Sequence, residues 1–159
     1  MSSSISCPCG SLKTFAQCCE PYINMAVEPP TPETLMRSRY SAYVVNNYEY
    51  IQATYSNSNR TNLSVTDIQK AAENTKWLRL TVLSAFDMGN EGEVEFIAHY
   101  KVNNDFYQMH EHSFFVLEQN SWRYVKGDMQ HKSGKIKVSR NQECICGSGL
   151  KLKRCCMLV

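Results

Sequence analysis

All eight cysteines of this 159-residue chain lie in two short segments near its ends. Residues 7–19 read CPCGSLKTFAQCC and residues 144–156 read CICGSGLKLKRCC, so both follow the pattern CxCGSx6CC with no thiol left over. Four thiolates make a closed tetrahedral set for zinc, a structural site with no open position for a substrate. Cys7 and Cys9 are one residue apart, so a bent turn can aim both sulfurs at one ion, and Gly10 lets the backbone fold tightly while amides donate to sulfur. Cys144, Cys146 and Gly147 repeat that arrangement. The adjacent pairs Cys18–Cys19 and Cys155–Cys156 are harder to direct at one ion, because consecutive side chains on a helix point about 100° apart. Each pair is therefore expected where a short helix ends. A unit this small has almost no core, so the metal is expected to supply its folding free energy, on the order of 10 kcal/mol. Vicinal disulfides are strained and rare, and thioredoxin-type redox thiols would need CxxC, which is absent. Two zinc ions are the expected cofactors, with iron the alternative metal.

Between the copies, the candidate polar groups are Arg37 and Arg39 in the segment PETLMRSRYSAYVV, and His99, His110, Glu111 and His112 further on. If the second group lies on strands, His110 and His112 share one face with Phe106, Gln108 and Phe114. Glu111 then shares the other with Tyr107, Met109, Ser113 and Phe115. That second face is the more apolar, so Glu111 is expected to point into a largely apolar cavity, where general acid–base work becomes available. The competing reading, favoured here, is a buried ion pair of Glu111 with Arg37 or Arg39 that anchors helix to sheet without turnover. For His110 and His112 a hydrogen bond or solvent exposure is expected over metal ligation, since no third ligand is evident. Trp77, Tyr100, Phe115, Trp122 and Tyr124 read as core and not as a platform for stacking bases.

The elements that must position these groups are legible in the pattern. The proline-rich stretch VEPPTP over 27–32 reads as a linker. Thr31 or Thr34 can then cap a helix starting around Pro32, with Leu35, Met36, Tyr40, Tyr43 and Val44 near one face. A second helix is expected around 49–55 and a third around 66–74, capped by Thr66. After Trp77 the chain is rich in β-branched and aromatic residues, and strands are expected at roughly 77–87, 92–102, 106–118 and 121–128, joined by the turns MGNEG, VNND and EQNS. Helices followed by an antiparallel meander imply an α+β fold, helices on one face of a curved four-stranded sheet, whose other face can close over a pocket. The expected units are an N-terminal zinc knuckle over 1–26, a central α+β domain over 27–131 and a basic C-terminal zinc knuckle over 132–159.

Composition narrows the class. With 43% hydrophobic and 20% charged residues the chain reads as soluble and globular, and no apolar run approaches the length of a membrane span. The start of the sequence lacks the basic and apolar regions of a signal peptide, so a reducing cytoplasmic location is expected. Residues 1–131 hold 10 Lys and Arg against 14 Asp and Glu, while the last 28 residues hold seven against one, a local net charge of +6. Four thiolates around zinc carry a net −2, which accounts for part of that excess. The rest points to an acidic partner: a protein surface, RNA or anionic lipid headgroups.

Both ends resemble the SEC-C motif, the zinc-binding segment at the C-terminus of the SecA translocase ATPase. From Cys7 to Cys156 the chain resembles the YchJ family, through CPCGS, LMRSRYSAYV, EGEVEFIAHYK, HEHSFF and RNQECICGSG. The resemblance implies two SEC-C motifs flanking a domain similar to nuclear transport factor two, a cystatin-like cone whose concave sheet serves either as a pocket or as a plain binding module. One departure is that the N-terminal copy has Leu12 where the motif has Gly, with Ala16 and Gln17 in place of Lys153 and Arg154. Any contact made by the basic face then belongs to Lys151, Lys153 and Arg154. SecA's motif engages the acidic chaperone SecB and lipid headgroups, which implies such a partner here, although no phosphate loop GxxxxGK[ST] is present. The expected function is a zinc-dependent interaction protein in secretion or protein quality control, a binding module and not an enzyme. The alternatives are a central cone that binds or converts a small molecule, with Glu111, Arg37 and Arg39 lining its pocket, and nucleic-acid binding through the basic tail.

Overall fold

A computed structural model describes residues 4–159; residues 1–3, at the start of the first expected unit and of the N-terminus read for a signal peptide, lie outside it. Helix α1 spans Glu20–Ile23, α2 Pro32–Val44, α3 Tyr48–Ala53, α4 Asn57–Arg60 and α5 Val65–Ala71. Strands β1 (Thr75–Asp87), β2 (Glu91–Val102), β3 (Asp105–Glu118) and β4 (Ser121–Met129) form an antiparallel meander in the order β1-β2-β3-β4. A two-residue β5, Gly134–Lys135, pairs with β3 at Tyr107 and Gln108, where β4 no longer reaches. The fold is α+β, and the expected four-stranded sheet gains this fifth short strand.

Thr31 starts α2 in extended conformation and accepts from the Thr34 amide at 3.1 Å, with Pro32 at the first helical position. The third predicted helix is corrected: it ends at Ala71, and its cap is Ser64, which forms a capping box with Asp67. The segment after α3 adds to the open edge of β4, since Ser56 donates to the Tyr124 carbonyl and the Tyr124 amide donates to Thr54, each at 2.8 Å.

Strand twist is increased by register shifts at Trp77/Arg79 and Val82/Ser84 in β1 and at Val125 in β4, opposite Phe114/Phe115 of β3, which curve the sheet. Helix α2 fills the concave side. Leu35 and Ile51 are fully buried there against Val94, Phe96, Ala98 and Phe115, each such side chain stabilising the fold by roughly 1.5–3 kcal/mol. The pocket lies on this helix side, between α2, α5 and the sheet. The expectation that the opposite face closes over a pocket is therefore corrected. That face instead receives the C-terminal segment, where Phe106, Leu152, Cys144 and Cys156 form a second small core with Leu78, Ile136 and Val138. Among the described residues no helix is long and apolar enough to cross a membrane.

Candidate functional site

The two cysteine segments fold the same way. Each CxC turn is closed by the glycine amide donating to the first cysteine's carbonyl, at 3.2 Å for Gly10 on Cys7 and 3.0 Å for Gly147 on Cys144. Matching backbone bridges join Ser6 to Thr14 and Glu143 to Lys151. A 3-10 turn follows, Phe15–Gln17 in one copy and Leu152–Arg154 in the other. Cys18 and Cys155 end these turns with unusual dihedrals, φ −128°, ψ −94° and φ −137°, ψ −105°. This backbone break is what allows adjacent cysteines to face the same point.

In each segment the four sulfurs lie within 4.8 Å of one another. Sγ–Sγ distances are 3.7 Å for Cys9–Cys18 and 3.8 Å for Cys18–Cys19, and 3.6 Å for Cys146–Cys155 and 4.0 Å for Cys155–Cys156. A tetrahedron of thiolates with zinc–sulfur bonds of about 2.3 Å has edges of about 3.8 Å. The donor sets thus fit a tetrahedral metal held by Cys7, Cys9, Cys18 and Cys19, and by Cys144, Cys146, Cys155 and Cys156. Hydrogen bonding to Cys19 and then Cys9 holds the Cys7 thiol far below its usual range, and the contacts with Cys7 and Cys9 push Cys19 far above it. One thiolate forms at its neighbours' expense, the behaviour of crowded acids that a shared cation lets ionise together.

The surroundings are polar where the sulfurs need it. The motif serine contacts the third cysteine in both copies, Ser11 Oγ 3.1 Å from Cys18 Sγ and Ser148 Oγ donating to Cys155 Sγ at 3.3 Å. From α2, Ser41 Oγ lies 3.7 Å from Cys7 Sγ. Cations come from the central domain: Arg37 Nη1 donates to the Cys9 carbonyl at 2.9 Å, and the buried Lys101 Nζ donates to the Cys156 carbonyl at 2.9 Å and to the Val159 backbone oxygen. Arg79 packs against the second CxC turn, where a Cβ on Gly147 would lie 3.6 Å from its Cζ.

Sequence reasoning missed Lys101, Ser41 and Arg79. For Lys101 the available signal was that Phe106 and Ile97 interrupt a strand face made mostly of His, Gln, Glu and Lys, which hinted that something covers it. Arg37, expected to line the pocket with Arg39, is corrected: it faces the N-terminal knuckle and bonds Glu33 at 2.9 Å as well as Cys9. Lys151, Lys153 and Arg154 are exposed around the buried Leu152.

Glu111 and Arg39 both line the central pocket, a cavity of about 340 Å³ walled largely by aromatic side chains. They do not pair, so the favoured ion-pair reading is corrected as well. Glu111 Oε1 accepts from Ser113 Oγ at 2.7 Å and from Tyr124 Oη at 2.8 Å. Arg39 Nη1 donates to the Ile51 carbonyl at 2.9 Å and to Thr54 Oγ1 at 2.6 Å, with the guanidinium over the Tyr55 and Tyr124 rings. His110 and His112 sit on the opposite face, where they meet Glu95 at 2.6 Å and Glu93 at 2.8 Å.

A helix-packed curved sheet bracketed by two congruent four-cysteine centres defines a small protein with a SEC-C motif at each end. Residues 5–21 and 140–158 match the SEC-C motif, and residues 31–127 match the family described as YchJ, middle NTF2-like domain. The chain belongs to the YchJ family. Relatives include a UPF0225 protein of Serratia proteamaculans, 41% identical over 154 residues covering 94% of this chain and 96% of its own. Another, from Vibrio parahaemolyticus, is 38% identical and covers 95% of this chain and 98% of its own. Among solved structures, a SEC-C motif containing protein from Psychrobacter arcticus superimposes with a TM-score of 0.69 at 31% identity, over 99% of both chains. One from Rhodopseudomonas palustris gives a TM-score of 0.75 at 33% identity, over 78% of this chain and 98% of its own.

Proposed function

We propose that this protein is a zinc-dependent interaction module of the reducing cytoplasm, holding one zinc ion in each four-cysteine centre. Its C-terminal knuckle presents a basic surface to an acidic protein, in secretion or protein quality control. The reading rests on where the cations are. Lys151, Lys153 and Arg154 are exposed beside the second centre, and no salt bridge among the described residues includes them. Charge balance for the thiolates has another source, because Arg37 stands beside the first centre, and Lys101 and Arg79 stand beside the second. The tail cations remain available to a partner. The N-terminal copy presents only Lys13 on the corresponding loop, so binding is assigned to the C-terminal copy.

The test is fluorescence anisotropy of a labelled glutamate-rich peptide with the wild-type chain and with Lys151→Glu, Lys153→Glu and Arg154→Glu combined. Single-stranded RNA and vesicles of anionic lipid serve as competitors. Binding that weakens with salt, disappears in the triple variant at unchanged zinc content and resists RNA supports the reading. Displacement of the peptide by far lower RNA concentrations would transfer the surface to nucleic acid; displacement by vesicles would transfer it to lipid headgroups.

A further inference from the structure

The central pocket is separate from both metal centres, and its carboxylate is only half engaged. Glu111 is 7% exposed. Its Oε1 takes both hydroxyl donors, from Ser113 and Tyr124. Room for that posture comes from Gly127 on β4, where a Cβ would fall 1.9 Å from Oε1 and 2.1 Å from Cδ. The carboxyl group therefore leans back on β4, and Oε2 is the oxygen left for the pocket that Glu111 lines, with no hydrogen-bond partner among the described residues. No salt bridge among those residues includes Glu111.

Arg39 does not answer that charge directly. Its Nη1 is committed to Ile51 and Thr54, and its guanidinium lies 4.6 Å and 4.5 Å from the ring centroids of Tyr55 and Tyr124. Opposite these groups the wall is a continuous aromatic cluster: the Trp77 ring lies 5.9 Å from Tyr40, 5.8 Å from Tyr43 and 5.3 Å from Tyr100. Aromatic faces attract organic cations, and a carboxylate oxygen that faces the pocket without a hydrogen-bond partner or a counter-ion adds a charge-assisted acceptor for them. The cavity, at about 340 Å³, is at the small end of ligand sites.

We propose that this pocket binds a small aromatic or alkyl ammonium ion, with its charged head on Glu111 Oε2 and its apolar body against Trp77 and the flanking tyrosines. This stands independently of the metal centres and of the basic tail. The test is calorimetric titration of the zinc-loaded protein with phenethylamine, phenylacetate and 2-phenylethanol, with the Trp77 indole N–H followed by NMR to locate binding. The expected result is that phenethylamine binds and shifts the Trp77 signal, with phenylacetate silent and 2-phenylethanol at least tenfold weaker. Glu111→Gln, which keeps an acceptor for both hydroxyls, is expected to weaken the amine at least tenfold. Ala72→Phe, which narrows the pocket without changing its charge, is expected to weaken all binding, and it locates the site if the Gln variant fails to fold. Equal binding of the alcohol or the acid, full affinity in a folded Glu111→Gln protein, or no binding of the amine by wild type would overturn the proposal.

Discussion

Leu12 shows what the motif demands of single residues. It adopts φ +66° and is 98% exposed, so its side chain contributes no packing, while its counterpart Gly149 adopts φ +77° without penalty. Leu12→Gly is expected to stabilise the N-terminal knuckle by about 0.5–1 kcal/mol, the left-handed strain relieved being partly offset by glycine's freedom in the unfolded chain. The urea midpoint of the zinc-loaded protein measures it, and a lower midpoint would refute the strain. At the same scale, Arg37→Ala and Lys101→Met are each expected to lower metal affinity about 10- to 100-fold at the adjoining centre alone, read by competition with a chromogenic chelator. The cysteine sets were legible because their spacing carries the geometry. Arg37 was not, because two residues along a helix is about 200° of rotation, which sends Arg37 and Arg39 to opposite sides of α2; only the knuckle's place in the fold reveals which side each serves.

The long strands were legible to within a few residues, because alternation persists over a dozen positions and the intervening turns carry Asn, Asp or Gly. Helix α4 and strand β5 were invisible for the opposite reason. Four and two residues respectively carry no period, and β5 exists only because β3 outlasts β4. The cap of α5 was misplaced by two positions because Ser64 and Thr66 are both competent N-caps. Asp67 three residues after Ser64, closing the capping box, decides between them. Ser64→Ala is expected to destabilise the fold by about 1 kcal/mol and Thr66→Ala by much less, a difference checked by thermal unfolding of the two variants side by side.

Across the whole molecule the two centres are bound into the fold differently. Cys7, Cys9 and Cys19 are buried in the main core with Leu35 and Tyr40, whereas the C-terminal centre has its own small core on the far face of the sheet. The sequence repeat predicts two equivalent knuckles, and it says nothing of these unequal settings, because docking depends on long-range contacts that a 13-residue motif does not encode. The main core also holds tyrosines whose neutral form the fold favours. Burial pushes Tyr50 up to about 12 and raises Tyr40 and Tyr124 further, with Glu111 adding to the rise at Tyr124. An unfolded tyrosine ionises near pH 10, so above that point the unfolded chain releases protons that the native one retains. Stability is expected to be level in these groups below about pH 10 and to fall as pH rises toward about 12, as urea midpoints on either side of that window will show.

Each terminal segment is predicted to act as an independent four-thiolate metal centre. Elemental mass spectrometry of untagged protein, wild type beside Cys18→Ser and Cys155→Ser, tests it most directly. Two zinc ions per chain in the wild type, falling to one in each variant, is the predicted result. Less than one ion in the wild type, or no change in either variant, would contradict it.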